Sequence, residues 1–146
     1  MPEQQRLEQL HIFLMEQIIK RYRQIALQAL RENDAGITVD QWIVLKQISE
    51  NNGTSQVEIA NSTVKDAPTT TRIIDQLTRK GLIAKQLDPE DRRRYMVFIT
   101  EKGQALIRRL WPVVQDYRQI PLQNFSEAEL DSLHRLLKKM YVNLGD

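Results

Sequence analysis

Three consecutive arginines, Arg92, Arg93 and Arg94, stand out in the stretch LDPEDRRRYMVFIT because like charges this close repel one another. A fold gains little from them, so their type and spacing favour a polyanionic partner. In the narrow minor groove of DNA, the enhanced negative potential stabilises an inserted arginine. Asp91 can hold the Arg93 guanidinium through a bidentate pair. The alternative is a charged turn that only protects a sheet edge from aggregation.

A second set of polar side chains lies just upstream, in the segment TTTRIIDQLTRK, which is predicted to be helical. Its polar face is expected to carry Thr69, Arg72, Gln76 and Arg79, at spacings of three, four and three. In the major groove, such a face can pair Arg with guanine and Gln with adenine. The alternative is a helix face that is merely solvated. The side expected to pack inward carries Thr70, Ile73, Ile74 and Leu77.

The start of this helix is a candidate phosphate site. Because Ala67 precedes a proline, the helix is predicted to begin at Pro68, with Ala67 as an N-cap that has no side-chain oxygen. The amides of Thr69 and Thr70 would then be free to hold a DNA phosphate at the positive end of the helix dipole. The alternative is that Asp66 or water satisfies those amides.

The rest of the composition excludes several other classes of chemistry. The 146 residues suit one domain and include no cysteine, so disulfides, thiolate metal sites and cysteine-based sensing are excluded. Only two histidines occur, His11 and His134, so no metal is expected. The sequence contains no Gly-rich phosphate loop and no Ser/His/Asp set. We therefore expect neither enzymatic activity nor a bound cofactor. There is no apolar run of membrane-spanning length and no signal-peptide pattern, so the expected location is the cytoplasm.

The positive charge is concentrated in one part of the chain. Nine basic and six acidic residues fall between Lys65 and Lys102, whereas the acidic residues exceed the basic ones by one elsewhere. A local excess of positive charge around the arginine turn is the electrostatic footprint that a nucleic acid selects.

The periodicity of the chain predicts a mainly α-helical fold with one small β-hairpin. A long helix from Glu3 to about Arg31 is stopped by ENDAG, where Gly36 can take the left-handed conformation of a helix end. A second helix, capped by Thr38 and Gln41, ends near Glu50. A third helix with a Ser55–Glu58 capping box is predicted next, followed by the TTTRIIDQLTRK helix and the strands LIAKQL and YMVFIT. A fifth helix is predicted from Thr100 to about Gln119, bent or interrupted near Pro112. A last helix begins with a Ser126–Glu129 capping box. A helix-turn-helix followed directly by a hairpin is the winged-helix arrangement.

The first and last helices carry wide apolar stripes outside this cluster and need to be covered. The economical cover is the same helices of a second copy in an isologous dimer. We therefore expect one compact domain with three regions: a dimerisation helix in residues 1–36, a DNA-binding lobe in residues 37–100, and two further dimerisation helices in residues 101–146.

The stretch SQVEIANSTVKDAPTTTRIIDQLTRKGLIAKQLDPEDRRRYMVFITEKG resembles the winged helix-turn-helix of the MarR (multiple antibiotic resistance regulator) transcription factors. The resemblance implies a homodimer on a near-palindromic operator, with the TTTRIIDQLTRK helix in the major groove and the hairpin wing in the minor groove. It also implies that Asp91 and Arg93 match the Asp-x-Arg pair of the family's wing. Lys65 and Pro68 depart from the family pattern, which usually has an apolar residue and a serine there.

The resemblance further implies a small phenolic or aromatic carboxylate effector, bound between the dimerisation helices and the DNA-binding lobe. The candidates for lining such a site are His11, Tyr22, Trp42, Arg109 and Trp111. For the aromatic residues, the alternative is core packing. The predicted function is a sequence-specific double-stranded DNA-binding transcriptional regulator, which we expect to be an effector-responsive repressor that acts as a homodimer on a near-palindromic operator. The alternative function is a winged helix that binds an acidic protein partner through its basic tip.

Overall fold

The structure is a computed structural model that describes residues 6–145. The predicted mainly helical fold with a two-stranded antiparallel hairpin is confirmed. The elements are α1 (His11–Glu32), α2 (Val39–Glu50), α3 (Gln56–Ser62), α4 (Ala67–Arg79), β1 (Ile83–Leu87), β2 (Tyr95–Ile99), α5 (Glu101–Gln119) and α6 (Glu127–Asn143), with short 3₁₀ turns at Leu7–Gln9 and Ile120–Leu122.

The first helix begins later than its periodicity predicts. Leu10 has an extended backbone, with φ −83° and ψ 131°, and separates the turn at Leu7–Gln9 from α1. The predicted start at Glu3 lies outside the described residues. At its other end, α1 gives way to a loop in which Asp34 and Gly36 have positive φ angles of 49° and 69°, as predicted for the glycine.

Local capping sets where three of the other helices begin. Thr38 with Gln41 and Ser126 with Glu129 form the two reciprocal capping boxes that the sequence predicts. At α3 only half of the predicted box exists. The Ser55 hydroxyl accepts from the Glu58 amide at 3.1 Å, but the Glu58 carboxylate accepts from the Thr54 hydroxyl instead of reaching back.

The hydrophobic core lies where α1, α2, α4, α5 and the hairpin meet. Its fully buried side chains include Leu30, Leu45, Ile48, Ile74, Leu77, Val97 and Leu110. The hairpin register pairs Ile83 with Ile99 and Leu87 with Tyr95. Three of the core residues, Ile73, Ile74 and Leu77, come from α4. Truncating Leu77 to alanine would therefore cost about 2–5 kcal/mol and weaken the packing of that helix against the core.

The two C-terminal helices differ sharply in burial. Despite Pro112, α5 is one unbroken helix, so the predicted interruption does not occur. It buries Gly103, Leu110, Val114 and Tyr117, whereas no residue of α6 is buried. Among residues 6–145, no helix is both long enough and apolar enough to cross a bilayer.

Candidate nucleic-acid interface

The N-terminus of α4 is capped by Asp66, not by Ala67. The Asp66 carboxylate accepts from the Thr69 amide at 2.8 Å, and Ala67 already belongs to the helix. The hydrogen bonds from Thr69 hold the pKa of the Asp66 carboxyl below its usual range. The predicted phosphate site on the free amides is therefore wrong at Thr69, because a carboxylate that would repel phosphate occupies that position.

Thr70 belongs to the core rather than to the DNA-facing surface. Its side chain is 0% exposed, and its hydroxyl donates to the Asp66 carbonyl oxygen at 2.9 Å. The backbone amide of Thr70 also donates to that oxygen, at 3.0 Å. Both polar groups are satisfied inside the protein, which corrects the prediction that Thr70 contacts DNA. Ile73, Ile74 and Leu77 pack inward beside it, as predicted.

The outer face of α4 carries two exposed arginines. Arg72 and Arg79 are exposed and Thr69 is partly exposed, whereas Gln76 lies at the flank of this face. There the Gln76 Oε1 accepts from Gln41 Nε2 of α2 at 2.9 Å, so its amide is engaged within the protein. Arg72 and Arg79 are thus the exposed cations of this face, and Gln76 is turned partly away from it.

Two further residues of this face did not emerge from the sequence pattern. At about 100° per residue, Thr71 and Asp75 flank Arg72 on the outward side of α4. Asp75 accepts from the Lys85 ammonium of β1 at 2.6 Å. That ion pair links β1 to the outer face of α4, and a search for acid–base pairs between α4 and β1 would have found it.

The arginine turn between β1 and β2 is held by its own backbone and by Asp91. The Asp88 amide donates to the Arg94 carbonyl at 2.9 Å, and the Arg94 amide donates to the Asp91 carbonyl at 3.0 Å. One oxygen of Asp91, Oδ1, accepts from both the amide and the Nε of Arg93, at 3.0 and 3.2 Å. These bonds from Arg93 lower the pKa of Asp91. The pairing occurs, but through one carboxylate oxygen, so the predicted bidentate geometry is wrong.

The three wing arginines do not have the same surroundings. The Arg93 side chain is 91% exposed although its Nε is paired, and Arg92 is exposed. Arg94 Nη2 lies 3.9 Å from Glu58 Oε1 on α3, which draws that side chain toward the helix-turn-helix. Within residues 6–145, no carboxylate oxygen lies within 4.0 Å of the guanidinium nitrogens of Arg72, Arg79 or Arg92. Their charges are left for a partner.

Backbone pairing joins the wing to the helix-turn-helix. The Val97 amide of β2 donates to the Thr54 carbonyl at 2.9 Å, and the Gly53 amide donates to the Val97 carbonyl at 2.8 Å. The loop before α3 therefore pairs with β2 through backbone hydrogen bonds and extends the hairpin by a short segment. These two bonds tie the wing to the start of the helix-turn-helix.

The five effector candidates are divided over different parts of the molecule. Tyr22, Trp42 and Trp111 line one cleft of about 260 Å³ between α1, α2 and α5, with 6.5 Å between the two tryptophan ring centroids. His11 is exposed at the start of α1 and does not line this cleft. Arg109 donates to the carbonyls of the α1–α2 loop and lines a different cleft. The prediction that all five residues line one site is therefore wrong, because only Tyr22, Trp42 and Trp111 line the same cleft.

The aromatic cleft also contains residues that the sequence pattern did not single out. Tyr117 packs edge-on to Tyr22 with 5.7 Å between ring centroids, and burial raises its pKa to about 12. Arg118 and Gln47 line the same cleft. Trp111, Val114 and Tyr117 recur every three residues, and that helical spacing would have found Tyr117.

No metal-binding group emerges from the described part of the chain, where no three His, Asp or Glu side chains gather closely enough to hold an ion. A helix-turn-helix fused to a basic hairpin, with uncompensated arginines on both, defines instead a winged-helix DNA-binding protein.

Comparison with known proteins identifies the family. The MarR family model matches residues 37–95. The HTH-type transcriptional repressor IacR of Pseudomonas putida is 30% identical over 139 residues, covering 95% of this chain and 82% of IacR. A protein assigned to regulation of the hcr operon in Thauera aromatica is 33% identical over 106 residues, covering 73% of this chain but only 64% of that relative, less than two thirds of its length.

Solved structures agree with this assignment. Bordetella bronchiseptica BpsR, described with a mechanism for the regulation of its DNA binding by 6-hydroxynicotinic acid, is 26% identical with a TM-score of 0.85, covering 94% of this chain and 97% of BpsR. S. aureus MepR in complex with DNA is 26% identical with a TM-score of 0.81, covering 92% of this chain and 98% of MepR. The chain belongs to the MarR family and is a DNA-binding transcriptional regulator, not an enzyme.

Proposed function

We propose that the chain is an effector-responsive repressor that binds a near-palindromic operator as a homodimer. Residues 37–100 form the DNA-binding lobe, and residues 1–36 and 101–146 supply the dimer contacts. The observation that carries the proposal is the set of exposed arginines on two neighbouring elements, Arg72 and Arg79 on α4 and Arg92 and Arg93 on the wing. Of these four, Arg93 alone is paired with a carboxylate of the described residues, through its Nε to Asp91. A regulator of this kind meets chromosomal DNA in the cytoplasm.

Each arginine set suits one groove of the duplex. Arg72 and Arg79 stand two turns apart on a helix that can enter the major groove, where a guanidinium pairs with the O6 and N7 of guanine. Arg93 extends from the wing toward the narrow minor groove, while Asp91 holds its Nε. The Lys85–Asp75 ion pair supports this division, because it keeps the hairpin beside the recognition helix.

The exposed apolar residues at the two ends of the chain support a dimer. Those in the N-terminal segment are Leu7, Leu10, Ile12, Leu14, Ile18 and Ile19, and those near the C-terminus are Leu133, Leu136, Leu137, Tyr141, Val142 and Leu144. Apolar surface of this extent is costly in water, and a second copy would cover it symmetrically. Two recognition helices related by a dyad would then meet half-sites about 10 bp apart.

The aromatic cleft between α1, α2 and α5 is the proposed effector site. Trp42 and Trp111 offer flat apolar walls to an aromatic ring. The Tyr117 hydroxyl stays protonated at neutral pH and can donate to a carboxylate, near the positive charge of Arg118. The buried Gln47 Oε1 has no hydrogen-bond partner among the described residues and can accept from a phenolic hydroxyl. A small phenolic carboxylate satisfies all of these groups.

Selection of genomic fragments with the purified protein at low salt tests the proposal. We expect retained fragments whose footprints contain two protected half-sites separated by about one helical turn. Retention should fall steeply as salt is raised, because phosphate contacts release counterions. A protein-binding winged helix would retain no duplex DNA at any salt concentration, and a single unpaired half-site would contradict the dimer.

A further inference from the structure

One carboxylate connects the first helix, the second helix and the turn that precedes α4. Asp40 lies in the first turn of α2, where the positive end of the helix dipole favours a carboxylate. Its Oδ1 accepts from Arg23 Nη2 of α1 at 2.9 Å, and its Oδ2 lies 3.6 Å from Lys65 Nζ. Lys65 belongs to the segment between α3 and α4, so three separate parts of the chain meet at this group.

The three side chains are partly shielded from water. Arg23, Asp40 and Lys65 are 33%, 30% and 37% exposed, so solvent screens their attraction less than that of a pair on the open surface. Each oxygen of Asp40 faces a different cation, and the hydrogen bond from Arg23 holds the carboxylate in place. Within residues 6–145, no other carboxylate oxygen lies within 4.0 Å of the Lys65 ammonium. The position of that ammonium therefore depends on Asp40.

Lys65 comes directly before the residue that caps α4. The Asp66 carboxylate accepts from the Thr69 amide at 2.8 Å and sets where the helix begins. Lys65 also stands where the family pattern has an apolar residue, which can attach this turn to the core by burial. Because a lysine ammonium is costly to bury without a partner, the ion pair with Asp40 supplies the attachment instead.

We propose that Asp40 is a positioning residue for sequence recognition. By holding Lys65, it fixes the start of α4 against α1 and α2, and it keeps the lysine charge away from the phosphates of DNA. The inference rests on the proposed function, in which α4 enters the major groove. A phosphate contact strengthens binding to every sequence alike, whereas a fixed α4 favours the operator whose bases match its side chains.

The ion pair is tested first without DNA, by urea denaturation of the full chain. The measured quantity is the coupling between Asp40→Asn and Lys65→Gln in a double-mutant cycle. We expect the two substitutions together to cost less than the sum of their separate effects, by about threefold in the unfolding equilibrium constant. Additive effects would mean that Asp40 does not hold Lys65, and the proposal would fail.

The second measurement is the ratio of the affinities for a selected operator fragment and for a scrambled duplex of the same length. Asp40→Asn should lower this ratio at least about threefold, because operator binding weakens while the freed Lys65 strengthens binding to the scrambled duplex. Asp40→Glu keeps the charge and should keep most of the ratio. Glu50→Gln removes the same charge from α2, where its pair with Lys46 lies within one helix, and should leave the ratio unchanged. An unaltered ratio for Asp40→Asn would overturn the positioning role.

Lys65→Gln separates a positioning lysine from a phosphate contact. A positioning lysine predicts a lower ratio, with a slope of log affinity against log salt that stays within about half a unit of the unmodified chain. A phosphate contact predicts a uniform loss on both duplexes and a slope smaller by about one unit, the result expected of Arg93→Ala. That second result would refute the proposal. Lys65→Arg retains the charge and should keep the ratio.

Two further variants complete the test. If Asp40→Asn acts through Lys65, its gain on the scrambled duplex should disappear when Lys65→Gln is added, and a gain that persists would assign the effect to overall charge and contradict the proposal. Arg72→Ala tests the proposed function instead. Unchanged operator affinity of that variant would refute the entry of α4 into the major groove, and the positioning role with it, whereas the coupling measured in urea would still stand.

Discussion

Gln41 Nε2 donates to Gln76 Oε1 at 2.9 Å and joins two residues that lie 35 positions apart in the chain. Gln41 is only 5% exposed, and its own Oε1 accepts from the Thr38 amide within the α2 capping box. The beginning of α2 is thus bonded directly to the last turn of α4. This arrangement makes Gln76 a positioning residue for α4, next to the face that we propose meets DNA.

The first prediction concerns this bond. Gln76→Ala should lower the free energy of unfolding by about 1–2 kcal/mol, because a buried Gln41 amide loses its acceptor. Urea denaturation measures this change. Arg79→Ala, at an exposed position on the same helix, is the matched control and should leave stability within about 0.5 kcal/mol of the unmodified chain. Equal stability of the two variants would show that the Gln41–Gln76 bond does not position α4.

A second prediction addresses the wing. Arg93→Ala should weaken operator binding at least about fivefold and reduce the slope of log affinity against log salt by about one unit, because one phosphate or groove contact is lost. Fluorescence anisotropy over a salt series measures both quantities. Lys20→Ala removes an equally exposed charge from α1 and should leave both unchanged. Unaltered binding by Arg93→Ala would remove the wing from the proposed interface.

The third prediction is the pH dependence of the α4 cap. The pKa of Asp66 is lowered in the folded protein by hydrogen bonds from Thr69, so folding favours its ionised form. That stabilisation is present above the ordinary carboxyl pKa of about 3.9 and is lost as pH falls through the lowered folded value. Asp66→Ala should therefore lower the urea midpoint at pH 7, and the difference should begin to shrink as pH falls below the ordinary carboxyl pKa of about 3.9.

A second substitution at the same position tests whether the ionised carboxylate of Asp66 caps the helix. Asp66→Asn keeps a side-chain oxygen for the Thr69 amide and should retain part of the stability at pH 7 with a weaker pH dependence. A difference between Asp66→Ala and the unmodified chain that stays constant from pH 7 to pH 3 would contradict the ionised cap.

Local signals in the sequence predict most of the elements and the inward face of α4. Thr38 and Ser126 each cap the helix that follows them directly in the sequence, so these helix starts can be read from local residues. The spacing of Ile73, Ile74 and Leu77 likewise indicates which side of α4 packs inward. The start of α4 is different because two local rules compete there. Proline disfavours a helical residue before it, yet the Asp66 cap bond outweighs that cost and brings Ala67 into the helix.

Contacts between distant segments could not be predicted in this way. The bonds from Arg109 to the α1–α2 loop span 75 and 76 residues, and helical spacing on α5 alone does not reveal them. Arg109 and Trp111 are only two residues apart, but at about 100° per residue they point to different sides of α5. The predicted single effector site consequently divides into two clefts.

The fourth prediction separates these two clefts. 2-Hydroxybenzoate, used as a probe, should quench the tryptophan fluorescence, because Trp42 and Trp111 form the walls of the aromatic cleft. Trp111→Ala should weaken this binding at least about tenfold, as stacking surface is lost. Arg109→Gln should leave the quenching unchanged. Quenching that depends on Arg109 but not on Trp111 would mean that the aromatic cleft is only a packed part of the core.

The fifth prediction concerns the exposed apolar side of α6. Leu137 is 42% exposed at the centre of that side, where the helical spacing also places Leu133 and Leu144. Leu137→Glu would bury a charge in the proposed dimer contact, so analytical ultracentrifugation should detect monomers and operator affinity should fall at least about tenfold. Arg135→Glu changes the charge more but lies on the opposite side of α6, and it should remain dimeric. A fully dimeric Leu137→Glu variant with unchanged operator affinity would exclude this face of α6 from the contact between subunits.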